Sequence, residues 1–154
     1  MHYRCTQFWR KTEDEGLFYF DQNMPCSFSL GSIKIKDVPA SKLKRDVWLV
    51  ENSINTARLL MALDKDGDAS NGIEITKAVS DEIKKKNITT VSDKPEDVLS
   101  EINGTISFLS GRVLPSADDA IIHLNATKLK AQEHNNKLNI PTGSGSESEV
   151  GLSQ

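Results

Sequence analysis

The chain is poor in the residues that hold transition metals and drive nucleophilic chemistry. Its 154 residues include two cysteines and three histidines, too few and too scattered for zinc spacing. His2, His123 and His134 stand far apart, and no nucleophile elbow, phosphate loop or dinucleotide fingerprint occurs. No enzyme is therefore expected. Long apolar runs are missing as well. None approaches the roughly 18 residues of a membrane span, so no transmembrane segment is expected. Met1-His2-Tyr3-Arg4-Cys5 also lacks the apolar stretch of a signal peptide. Nor is there an excess of one charge: 19 basic against 22 acidic residues leave a net −3. Lys42-Leu43-Lys44-Arg45 and Lys84-Lys85-Lys86 are short and interrupted by acids, so they read as solvated surface and no nucleic-acid partner is expected.

What is present is ordinary globular material, 37% hydrophobic and 27% charged, enough for one modest core. The first forty residues alternate like strands: Tyr3 to Gln7, Leu17 to Phe20, Cys26 to Leu30 and Ser32 to Val38, broken by turn residues such as Gly31. Helical periodicity follows. Asn52 or Ser53 can cap a helix bearing Ile54, Ala57, Leu60, Met61 and Leu63, and Thr76 caps one bearing Val79 and Ile83. Asp93, with Pro95 and Glu96, starts a third helix bearing Val98, Leu99 and Ile102, which ends at Asn103-Gly104. Ser116 caps a fourth, with Ala117, Ala120, Ile121 and Leu124 toward the core. The expected fold is α+β: a small N-terminal antiparallel β-meander packed against three or four C-terminal helices. The expected division is a single module over 1–130 and a flexible Gly/Ser/Glu-rich tail or linker over 131–154 that buries little. Trp9 and Trp48 read as core or core-edge residues.

Cys5 and Cys26 both fall in strand-like stretches. If those strands pair, a cross-strand disulfide is within reach; two buried thiols are the alternative. The segment richest in chemistry is Leu63-Asp64-Lys65-Asp66-Gly67-Asp68-Ala69-Ser70-Asn71-Gly72-Ile73-Glu74-Ile75. Carboxylates at alternate positions after a helix suit Ca²⁺, which takes six to eight oxygens. Asp64, Asp66 and Asp68 match the opening of an EF-hand loop. Ala69 stands where the sharp turn wants glycine, and Ile75 where a bidentate Glu belongs, so Asn71 and Glu74 would complete an irregular, weak Ca²⁺ site. The same residues also suit a metal-free turn. Three triplets, Asn87-Ile88-Thr89, Asn103-Gly104-Thr105 and Asn125-Ala126-Thr127, fit the glycosylation pattern, which also arises often by chance.

Several of these stretches, in order, resemble one known module. They are Tyr3-Arg4-Cys5, Gly16-Leu17-Phe18-Tyr19, Cys26-Ser27-Phe28-Ser29-Leu30-Gly31-Ser32-Ile33 and Asn55-Thr56-Ala57-Arg58-Leu59-Leu60. Leu63 to Asp68, Asn71-Gly72-Ile73 and Leu114 to Leu124 continue the series. Together they resemble a module near the N-terminus of exported bacterial lipoproteins and adhesin-like proteins, some related to colonisation factors. The resemblance implies a non-catalytic structural or binding module of a surface protein. Its partners would be other modules of the same polypeptide or a surface protein or glycan ligand. It also implies export to the periplasm or cell surface if the chain is processed, whereas Met1 as the true start implies a cytoplasmic chain. The alternative is a cytosolic interaction protein of the immunity or adaptor kind.

Overall fold

In the computed structural model, which describes residues 1–5, 10–12, 17–91, 94–138 and 148–153, the fold is α+β. The strands are β1 (His2–Arg4), β2 (Arg10–Lys11), β3 (Leu17–Phe20), β4 (Cys26–Leu30), β5 (Ile33–Val38), β6 (Leu49–Val50) and β7 (Ser148–Ser153). The helices are α1 (Ile54–Leu63), α2 (Lys77–Lys85), α3 (Pro95–Ile102) and α4 (Ala117–Leu138). Ser53 and Thr76 cap α1 and α2 through their side chains, as their positions before the apolar periods predict. The cap expected at Asp93 and the tryptophan at position 9 lie outside the described residues.

The antiparallel sheet differs from a sequential meander. Its order is β2-β1-β4-β5, while β3 joins β7 and β6 in a second sheet. The reason is aromatic packing. Phe18 and Phe20 of β3 point into the face already occupied by Tyr3 and Phe28. Phe18 meets Phe28 edge-on at 4.8 Å and Tyr3 at 5.5 Å, geometries that aromatic quadrupoles favour. The Tyr19 N–H donates to the Tyr3 hydroxyl, 3.1 Å away, so β3 is tied to β1 through a side chain rather than a ladder.

Alternation in β4 buries Cys26, Phe28 and Leu30 on one side, and that side spans two cores. Cys26 and Phe28 belong to the sheet cluster, whereas Leu30 and Ile33 join the helical core of Leu59, Leu60, Leu63, Val79, Ile83, Leu99, Ile102 and Leu109. Gly31, at the tip between β4 and β5, makes that junction. It is left-handed (φ 57°), and a Cβ there would lie 2.7 Å from the Ser80 carbonyl oxygen. Gly31→Ala is expected to lower stability by about 2 kcal/mol, from backbone strain and a clash with main chain. Chemical denaturation checks this, and an unchanged midpoint would show that α2 gives way freely.

Helix α4 packs Ala120 and Leu124 on Ala57 of α1. Ile121, expected inward, is instead 37% exposed: the close α1–α4 approach uses the small Ala120 and turns its larger neighbour outward. The segment beyond Lys130 carries two elements rather than a tail alone. Helix α4 continues to Leu138, and β7 pairs with β3 antiparallel and with β6 in parallel. The polar run that erases periodicity there supplies specific contacts instead. Asn135 accepts from the Trp48 N–H through Oδ1 at 2.9 Å, and His134 stacks on the Trp48 ring at 4.3 Å. Among the described residues, no helix is long and apolar enough to cross a membrane.

Candidate functional site

Cys5 and Cys26 form a disulfide. Pairing of Arg4 with Ser27 across β1 and β4 places Cys5, the next residue, opposite Cys26, with their Cα atoms 4.1 Å apart. Both are buried beside Tyr3, Phe18 and Phe28. Such a bond is compatible with an oxidising compartment.

The acidic loop begins where α1 ends. Asp64 leaves the helix in extended conformation (ψ 134°) yet stays 1% exposed, because Leu63 beside it anchors the helix end in the core. Its Oδ1 accepts from the Glu74 N–H at 2.8 Å, closing the loop. Its Oδ2 is buried and has no hydrogen-bond partner when the carboxyl is ionised. A buried acceptor left unsatisfied costs about 1–3 kcal/mol, more if charged. Accordingly Asp64 is held above the usual carboxylate range, first by burial and also by the neighbouring Asp66 carboxyl, against the Glu74 N–H. Asp66 is pushed the other way by Asn71, the Asp68 N–H and Asp64 itself. A proton on Asp64 would let the two carboxyls share one hydrogen bond; without it they oppose each other across the loop.

The remaining acids are used locally. Asp66 accepts from the Asp68 N–H (2.9 Å) and from Asn71 Nδ2 (2.8 Å). Asp68 Oδ1 accepts from the Ser70 N–H and hydroxyl at 3.0 and 2.5 Å, capping a single 3₁₀ turn over Ala69–Asn71. Glu74 turns its carboxylate toward Lys65, 3.3 Å from Nζ, and the Lys65 N–H donates to the Glu74 carbonyl. Of the five candidate ligands, then, the structure brings Asp64 and Asp66 together with Asn71, and occupies Asp68 and Glu74 with Ser70 and Lys65. Among the described residues, no three His, Cys, Asp or Glu side chains form a group able to hold a metal ion.

Arg112 is the residue that sequence reading missed. Its guanidinium donates to the carbonyls of Ala62 (2.9 Å), Asp64 (2.6 Å) and Phe108 (3.3 Å). It thereby satisfies two carbonyls at the C-terminal end of α1 and places a fixed positive charge at the negative end of that helix. It also lies beneath Gly67, which is left-handed (φ 74°). Nothing in Gly111-Arg112-Val113 signals this role, which depends on a contact 48 residues away. The histidines stay apart: His134 Nε2 is 2.7 Å from the Asp46 carbonyl, while burial lowers the pKa of His2. Comparison with protein-family models, with curated proteins and with solved structures finds no match for this chain.

Proposed function

We propose that this chain is a non-catalytic structural or binding module of an exported bacterial surface protein, of the lipoprotein and adhesin-like kind, and that it holds Ca²⁺ weakly through Asp64 and Asp66. The observation that carries the cation is the Asp64 carboxyl, 1% exposed with Oδ2 unpartnered, facing a second carboxyl. A divalent ion relieves both the unmet acceptor and the repulsion between the pair. Export is supported by the Cys5–Cys26 bond together with the ordered resemblance of residues 3–129. The partners that fit such a module are its neighbours in the same polypeptide or a surface protein or glycan.

The loop lacks glycine at Ala69 and a bidentate acid at Ile75, which argues for weak affinity, on the order of 10⁻⁴ to 10⁻³ M, the range of extracellular modules. Calcium at ten times Kd stabilises the native state by about 1.4 kcal/mol, or roughly 4 °C in Tm for a chain of this size. Mg²⁺ does less, because it dehydrates reluctantly and wants a tighter octahedron. Asp66→Ala is expected to abolish the response, while Asp81→Ala, paired with Lys77 on exposed α2 surface, leaves it intact. Melting curves that ignore both Ca²⁺ and EDTA, with no calorimetric heat, would reduce the loop to a turn.

A further inference from the structure

The three Asn-x-Thr triplets are not equivalent once folded. Asn125 lies inside α4, and its partner Thr127 is 6% exposed. Asn103 closes α3 and is half-buried, and the Thr105 hydroxyl and N–H both donate to the Ile102 carbonyl at 3.0 and 3.2 Å. Neither triplet can be grasped by an enzyme without first undoing helix or cap. Asn87 differs in its exposure and in keeping the side chains of its triplet outside the cap. It is exposed and left-handed (φ 54°), just past the end of α2. Its N–H donates to the Lys84 carbonyl at 3.0 Å and the Ile88 N–H to the Ile83 carbonyl at 3.2 Å, a pair of bonds that closes a helix at a left-handed residue.

Beyond that turn, residues 88–91 belong to no helix or strand. Ile88 packs against the helical core, and its carbonyl accepts from the Ser32 hydroxyl at 2.5 Å, so the described residues hold this stretch from its inner side. The Asn87 carboxamide and the exposed Thr89 hydroxyl make no hydrogen bond with any described residue. Both groups of the triplet are thus exposed and unengaged by any described residue, and the cap at Asn87 uses main-chain groups alone.

We propose that Asn87 is an acceptor site for an N-linked oligosaccharide, with Thr89 as the hydroxyl by which the transferase recognises it. The donor is a lipid-linked pyrophosphate oligosaccharide. Asn87 Nδ2 forms a bond to the anomeric carbon of the first sugar, and the bond from that carbon to the pyrophosphate oxygen breaks. The lipid pyrophosphate leaves with the electron pair, and one amide proton passes to a carboxylate of the transferase. An amide nitrogen is a weak nucleophile that must be gripped and turned by the enzyme, which is why access on the folded surface decides among the triplets. The proposal rests on the export reading for its cellular setting, because such donors and transferases serve exported chains.

The test uses the purified full chain, folded and oxidised, with an oligosaccharyltransferase of Asn-x-Thr specificity and a lipid-linked pyrophosphate oligosaccharide, read by intact mass and peptide mapping. One oligosaccharide per chain, on Asn87, is expected. Asn87→Gln and Thr89→Ala should each reduce modification at least tenfold, Thr89→Ser should retain it, and Asn103→Gln and Asn125→Gln should leave it unchanged. Modification on Asn103 or Asn125 in preference to Asn87 would overturn the proposal. So would a folded chain that takes no sugar while the reduced, unfolded chain does. Because the purified reaction carries no compartment with it, evidence for a cytosolic origin would sink the export reading without altering this result.

Discussion

Replacing Cys26 by serine is expected to lower Tm by roughly 9 °C under oxidising conditions, the equivalent of about 3 kcal/mol for a loop of this length. The bridge spans 21 residues, and an open chain of that length has many conformations that the bond removes from the unfolded state. The loop it closes contains β3, whose ladder partner among the described residues is β7, so the bond restrains a strand that the four-stranded sheet does not. In reductant the unmodified chain loses the same constraint, and the difference should shrink to about 1 kcal/mol. That residue is the cost of a serine hydroxyl where Cys26 is fully buried. Equal losses in both conditions would show that the sulfur atoms act only by packing.

Where the chain's local rules are self-sufficient, the fold is legible in the residues. Period-two alternation in Cys26–Leu30 fixes which side is buried, and Ser53 and Thr76 mark two helix starts, because each of these effects acts within a few residues. Sheet order is another matter. Leu17–Phe20 reads as a strand, but its neighbour is chosen by where Phe18 fits among Tyr3 and Phe28, a tertiary fact that no local pattern carries. The acidic loop shows the same division. Its carboxylates and its place after α1 are visible in sequence, but its burial depends on Leu63, and its anchoring depends on Arg112 from a distant loop. The spacing of acids therefore points to a place in the fold more reliably than to a ligand set. Asp68 and Glu74 keep the expected spacing while bonding Ser70 and Lys65.

A chain ending at Lys130 is expected to lose about 3 kcal/mol relative to the whole, against the sequence expectation that residues 131–154 bury little. Ala131 is 3% exposed, and removing it takes a buried side chain out of the packed face of α4. Asn135 engages Trp48 twice, accepting from its N–H at 2.9 Å and donating to its carbonyl at 3.4 Å; without it both groups of a half-buried segment go unpaired. His134 stacks on the Trp48 ring with 23° between planes and bonds the Asp46 carbonyl through Nε2. Each net hydrogen bond contributes about 1 kcal/mol and an aromatic stack a comparable amount. Loss of β7 leaves β3 and β6 without their shared ladder partner, which lowers cooperativity at the N-terminal sheet as well. Asn135→Ala in the full chain isolates the two Asn135 bonds and should cost about 1–2 kcal/mol. Trp48 fluorescence should shift toward the red in both variants as the ring gains water. A truncated chain that melts within a degree or two of the whole, with unchanged Trp48 emission, would return residues 131–154 to the role of a linker.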